Sequence, residues 1–187
     1  MMWKFASRLA LVGSVIAVGA FAVARGEGGM FSPYVDGSGG ITLPDPASVR
    51  ARWSYLGIWA VQGEEGVDEL HAVYTQPGTI DAFRKTGEFP DSAVLMKEVR
   101  KATHGAMTTG DIAWNDEEVL WFVMVKDRKG RFPDNPIWAK EWGWALFLAE
   151  DRETNAATDF RVDCMGCHVP AKTTEWVYTQ GYPVLRD

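Results

Sequence analysis

Apolar and polar positions along the chain predict mostly strands. "YLGIWAV" (55–61) and "ELHAVYT" (69–75) read as two strands, separated by the turn-prone "QGEEGVD". "PGTIDAFRKTG" (77–87) reads as a helix: Pro77 sits near its start, Ile80, Phe83 and Arg84 follow helical spacing, and Gly87 ends it. "FPDSA" then turns into the strand "VLMKEVRKA". "EEVLWFVMVKD" (117–127) carries the densest run of β-branched and aromatic residues and is the clearest strand. After the loop "DRKGRFPDNP" comes "WGWALFLAE" (142–150), a strand whose periodicity also permits a buried helix. "AATDFRVDCMGCH" enters a short helix and "PAKTTEWVYTQ" a second, with Pro170 in the break. Strands dominate, with helices at the edge and at the end and no βαβ alternation. The expected class is α+β: a mainly antiparallel β-sheet with peripheral helices and a C-terminal helix.

Before this pattern begins, residues 25–48 are rich in Gly, Pro and Ser and read as a linker or an extended arm. The globular domain is placed at 49–187. At the start, Lys4 and Arg8 precede an uncharged apolar run from Leu9 to Ala24 that closes on "AVA". That is the layout of a secretory signal peptide over residues 1–24, cut after Ala24. The competing reading is an uncleaved membrane anchor, but the run falls short of the roughly 18 residues of a spanning helix. Export places the domain in a periplasm-like compartment, where thiols are oxidised unless used.

Composition narrows the function classes. The net charge of −6 leaves no basic footprint for nucleic acid. Nine Trp and nine Phe suggest a core or pocket rich in aromatics.

The chemistry concentrates in "DCMGCHVPAKTTEW" (163–176), which holds both cysteines of the chain, Cys164 and Cys167, followed directly by His168. C-x-x-C-H is the attachment signature of a c-type haem. Two thiols three positions apart on a helical turn can reach the two vinyl groups of one porphyrin, and the adjacent imidazole becomes the proximal iron ligand. Three other readings compete. A disulfide here would close a tiny loop and constrain little. A thioredoxin-like pair belongs near a βαβ pattern. A zinc site lacks a second cysteine pair, and His71 and His104 are not tightly spaced. The expectation is one covalently bound haem c, with Cys164, Cys167 and His168 as its protein partners and His168 on the iron.

The other face of the iron is less specified. Met or His would fill it in an electron carrier. His104, in "THGAMTTG", reads as an exposed loop residue. Strand parity adds a different candidate. In "AVLMKEV", Ala93, Leu95, Lys97 and Val99 share one face, and Glu98 and Arg100 take the other. A lysine on an apolar face is costly unless paired, neutral or modified; the plainer reading is that Lys97 snorkels to a surface.

"HAVYTQPGTIDAFRKTGEFPDSAVLMKEVRK", "EEVLWFVMVKD", "WGWALF" and "CMGCHVPAKTTEWVYTQGYPVL" together resemble the cytochrome P-460 family, which includes the cytochromes c′-beta, over most of residues 52–185. The resemblance implies an antiparallel β fold with accessory helices, usually dimeric, holding one c-type haem with an open distal side. In the P-460 branch a lysine is bonded to the porphyrin edge, and the enzymes oxidise hydroxylamine and handle nitric oxide. By spacing to the haem histidine, Lys97 matches that lysine. His71 falls where those enzymes carry a distal arginine, and Met124 where they carry a distal carboxylate. Met124 cannot take a proton; His71 is suited to act as base in its place. The cytochromes c′-beta have apolar distal pockets without the cross-link and bind gases such as nitric oxide. The expected function is therefore a periplasmic mono-haem redox enzyme on small nitrogen species, with Lys97 and His71 at the working face and an external electron-transfer protein as partner. The alternative is a gas-binding or electron-transfer cytochrome.

Overall fold

In the computed structural model, residues 31–186 are described; the signal peptide expected at 1–24 lies outside them. The strand patterns become β1 (Ser54–Gln62), β2 (Val67–Thr75), β3 (Val94–Met107), β4 (Gly110–Lys126), β5 (Trp138–Ala139) and β6 (Trp142–Leu148). They form one antiparallel sheet in the order β1-β2-β3-β4-β6-β5, so each of the first three strands pairs with the next along the chain, and β4 pairs with β6. This is the expected mainly antiparallel α+β class, and "WGWALFLAE" is a strand rather than a buried helix.

Two expectations need correction. "THGAMTTG" is not a loop: β3 continues through His104 to Met107, and β4 returns from Gly110, paired back to Met107. The register shifts around Arg100 let this hairpin carry on after its apolar alternation has faded. The C-terminal segment is not two helices broken at Pro170. It is two one-turn helices, α3 (Phe160–Asp163) and α4 (Met165–His168), followed by a 3₁₀ turn over Val169–Thr174 with Pro170 in its first turn. Proline lacks only an N–H that is unused at a helix start, so it opens the turn instead of breaking it.

Because side chains alternate across the sheet, each strand feeds two cores. The front face carries Val73, Leu95, Met124, Trp142 and Trp144, covered by Phe160, Val177, Tyr182 and Leu185 from the C-terminal segment and by Phe89. The back face carries Val94, Met96, Trp121, Val123, Val125 and Phe147. Residues 31–45, from the stretch read as linker or arm, lie on this back face with Val35 and Ile41 buried. Asp45 then caps α1 (Pro46–Arg52) through the Ser48 N–H at 2.9 Å. Arg50 of α1 reaches the buried Glu98, which Arg100 also holds at 3.1 Å.

Between β2 and β3, α2 (Thr79–Thr86) ends on Gly87, whose φ of 75° closes the helix onto the Phe83 carbonyl. The last residues run back across the edge strand β1. There Gly181 is required by close approach, since a Cβ would stand 2.0 Å from the Trp59 ring. Trp59 Nε1 donates to Tyr182 Oη at 3.2 Å, pinning this crossing. Among the described residues no helix is long and apolar enough to cross a membrane.

Candidate haem site

Front face and C-terminal segment enclose a cavity of about 360 Å³, within the range of small-molecule and cofactor sites. Leu95, Phe122, Met124 and Trp144 form much of its sheet wall, while Cys164, Cys167 and His168 enter from the C-terminal segment.

The approach to the cysteines is built from local hydrogen bonds. Asp163 accepts from the Thr158 and Asp159 N–H groups at 2.7 and 3.0 Å, and Asp159 caps α3 through the Arg161 N–H at 2.7 Å. Cys164 sits at φ −126°, outside helical geometry, and separates α3 from α4. Both cysteines are free thiols. Cys164 is buried, and desolvation pushes its thiol up to about 11. Cys167 is exposed.

His168 is fixed on two sides. Trp144 meets its ring edge-on with centroids 4.7 Å apart. Its Nδ1 lies 2.7 Å from the Trp176 carbonyl. A carbonyl only accepts, so Nδ1 carries the proton and Nε2 is the nitrogen left for a metal. Burial holds the imidazole pKa below its ordinary value, which favours the neutral ligand form. Two sulfurs and one free imidazole nitrogen on the edge of an apolar cavity are a donor set that fits a haem.

Lys97 and His71 also line this cavity. Lys97 projects from the same face as Leu95, with Glu98 and Arg100 joined on the other. The surface-snorkelling reading does not describe it: Nζ lies 4.1 Å from the centre of the Phe122 ring, and burial lowers its pKa. Among the described residues Lys97 makes no ion pair. His71, two pairs along β2 from the Lys97 position, has Nε2 2.8 Å from a Glu69 carboxylate oxygen. Desolvation, joined by the nearby Lys97 charge, lowers its pKa against the opposing pull of Glu69, so the ring is neutral at neutral pH. Met124 faces the cavity as a thioether, and His104 lies elsewhere, with Nε2 2.6 Å from the Val67 carbonyl.

Sequence reasoning missed Glu69, the partner of His71, and the aromatic groups Trp59, Tyr178 and Tyr182 that line the cavity. Glu69 and His71 are two apart on one strand, so the period of two that paired Leu95 with Lys97 also pairs them. The three aromatics had no such signal, because loop and 3₁₀ geometry aims two of them.

A sheet packed on a C-terminal thiol–imidazole segment around an apolar cavity defines a haem protein of the cytochrome class. The family model described as Cytochrome P460 matches residues 47–179, and the chain belongs to the cytochrome P460 family. That membership bears out the resemblance and implies a haem cofactor. No curated protein matches the chain significantly.

Proposed function

We propose that this chain is an exported, periplasmic mono-haem cytochrome c that acts as a redox enzyme on hydroxylamine or nitric oxide. Cys164 and Cys167 hold the haem by thioethers, and His168 Nε2 holds the iron. The observation that carries the reading is Lys97: a half-buried amine on the cavity wall, over the Phe122 ring, with no ion pair among the described residues. An apolar gas pocket has no use for such a group, since burying an unpaired ammonium is costly. The family resemblance gives a lysine at this position a bond to the porphyrin edge.

Bound haem would supply the electron transfer and a place for the substrate nitrogen. The protein would supply proton handling. His71 donates Nε2–H to Glu69, which leaves the Nδ1 lone pair free to take a proton from the substrate. The resulting imidazolium is stabilised by Glu69 and passes its Nε2 proton to that half-exposed carboxylate, then to water. Trp59 and the Phe122 ring are apolar walls of the same cavity. An external electron-transfer protein takes the electrons. A second copy of the chain as partner rests on the family resemblance, and an uncleaved N-terminal anchor is the alternative to periplasmic release.

One observation favours a second reading. Met124 occupies the position of the family's distal carboxylate and faces the cavity as an apolar group. That suits a nitric-oxide-binding cytochrome without turnover. Mass spectrometry of digested holoprotein separates the two. The enzyme reading expects one species joining the peptide of Cys164 and Cys167, the haem, and the peptide containing Lys97, together with a strongly red-shifted ferrous Soret band. Unmodified Lys97 in fully loaded protein with an ordinary five-coordinate spectrum favours the gas-binding reading. Recovery of both cysteines as free thiols from that protein refutes covalent attachment.

A further inference from the structure

We propose that Lys126 and Glu175 are positioning residues that aim the proximal imidazole, an inference that rests on His168 being the iron ligand. Among the described residues Lys126 is the one buried cation, 1% exposed at the end of β4. An ammonium in such a place requires partners. Its Nζ lies 2.8 Å from Glu175 Oε1 and 3.1 Å from Glu141 Oε2, over the Trp142 ring.

Both glutamates sit in backbone that L-residues avoid. Glu141 has φ 63° beside Lys140 at 58°, and Glu175 has φ 56° beside Trp176 at 64°. Each such residue brings its Cβ too close to the following carbonyl oxygen, and persists only where its surroundings over-determine it. Among the described residues the one other non-glycine with positive φ is Ser92, whose N–H donates to the Lys126 carbonyl at 2.9 Å. The unfavourable backbone of the described chain therefore gathers around one buried ammonium.

The contacts lead to the histidine. Besides Lys126, the Glu175 carboxylate accepts the Phe89 N–H at 2.5 Å. The Glu175 carbonyl accepts Trp142 Nε1–H at 2.9 Å. With residue 175 held at side chain and carbonyl, the next carbonyl, that of Trp176, points at His168 Nδ1 at 2.7 Å. That hydrogen bond fixes the tautomer and ring angle of the ligand and raises its donor strength. Glu175 thus acts on the site through two backbone torsions, with Lys126 as the pin.

The test is resonance Raman of the iron–imidazole stretch, with the midpoint potential, on ferrous holoprotein. Glu175→Gln keeps the size but loses one of the two acceptors. Lys126→Met loses the pin. Both are expected to lower the stretching frequency and raise the potential, because a weaker imidazole donor stabilises the ferric state less. Lys126→Arg, which keeps the charge, is expected to move both back toward the parent values. Glu98→Gln removes a buried carboxylate from the back face and is expected to cost stability while leaving band and potential unchanged. If Glu175→Gln and Lys126→Met also cost only stability, with band and potential at parent values, the pair is a clamp between turns and the proposal falls. If Lys126→Met fails to load haem, the nearly isosteric Glu175→Gln decides alone. His168→Ala run in parallel reports on the underlying reading: an unchanged band there removes His168 as ligand, whatever the other variants do.

Discussion

Phe160 offers the most direct measure of how firmly the haem segment is held to the sheet. Its ring is 2% exposed at the start of α3. It packs on Trp144 with centroids 4.9 Å apart and on Trp176 at 5.5 Å. These are the two residues that fix His168, one by ring contact and one by carbonyl. Phe160→Ala removes a fully buried ring, worth about 3–5 kcal/mol in a core that cannot collapse. Within that cost, about 0.5–1.5 kcal/mol belongs to each aromatic pair. For a chain of this size each kcal/mol moves the midpoint by about 2–4 °C, so Tm should fall by about 6–20 °C. Phe160→Leu keeps most of the volume and should cost under about 1.5 kcal/mol beyond its lost ring contacts. Urea unfolding of the haem-loaded protein, followed by far-ultraviolet circular dichroism, gives both numbers. An alanine variant less than about 1 kcal/mol below the parent refutes the idea that this ring bonds segment to sheet. A leucine variant as damaged as alanine shows that volume is not what matters there.

Two further perturbations test the charged groups. His71→Leu should reduce hydroxylamine turnover by about 10²–10⁴-fold if His71 is the base. The parent rate should fall only on the acid side, below pH 6.5, because desolvation lowers the His71 pKa; Glu69→Gln, which removes the group raising it, should shift that limb to still lower pH. A stopped-flow pH profile with no acid limb, or one unmoved in Glu69→Gln, contradicts the dyad. Arg131 holds Asp91 at 2.6 Å and the buried Asp127, and its hydrogen bond is the main reason the Asp91 pKa lies below 3.8. A depressed carboxylate pKa contributes stability above the unfolded value and loses it as pH falls through the folded one. Arg131→Met should therefore cost about 1–3 kcal/mol near neutrality, and the gap should narrow below pH 3.8. A difference constant from pH 7 to 3 in chemical denaturation contradicts the assignment.

The sheet was legible, and a ligand set could be proposed, because both rest on short-range pattern. Period-two alternation in β3 placed Leu95 and Lys97 on one face, Met124 entered through the family resemblance, and C-x-x-C-H named three residues without any fold. Parity would also have found Lys126, since Phe122, Met124 and Lys126 share a face. The strand was dense enough in apolar residues to make its final lysine look like an ordinary strand end. Glu175 had no signal at all. Its role depends on a left-handed backbone that glutamate rarely adopts, and on a partner that lies 49 positions away. The far half of the β3–β4 hairpin was missed for the opposite reason: threonine and glycine read as loop, while pairing to a neighbouring strand overrode propensity.

The order of the sheet bears on how the protein is made. From β2 through β4 each strand pairs with the one just before it, and β6 joins β4 after a connection over residues 127–141 that includes β5. Such local pairings form early and quickly. By the time Leu148 has been synthesised, the whole sheet wall of the cavity is present in the chain, while Cys164, Cys167 and His168 are still to come. The cysteines follow the wall in the chain, on a segment that packs over it and is secured by the crossing of Gly181 over Trp59. Along the described chain the site is therefore laid out in the order of its wall, the residues proposed to hold the haem, and the crossing that covers them.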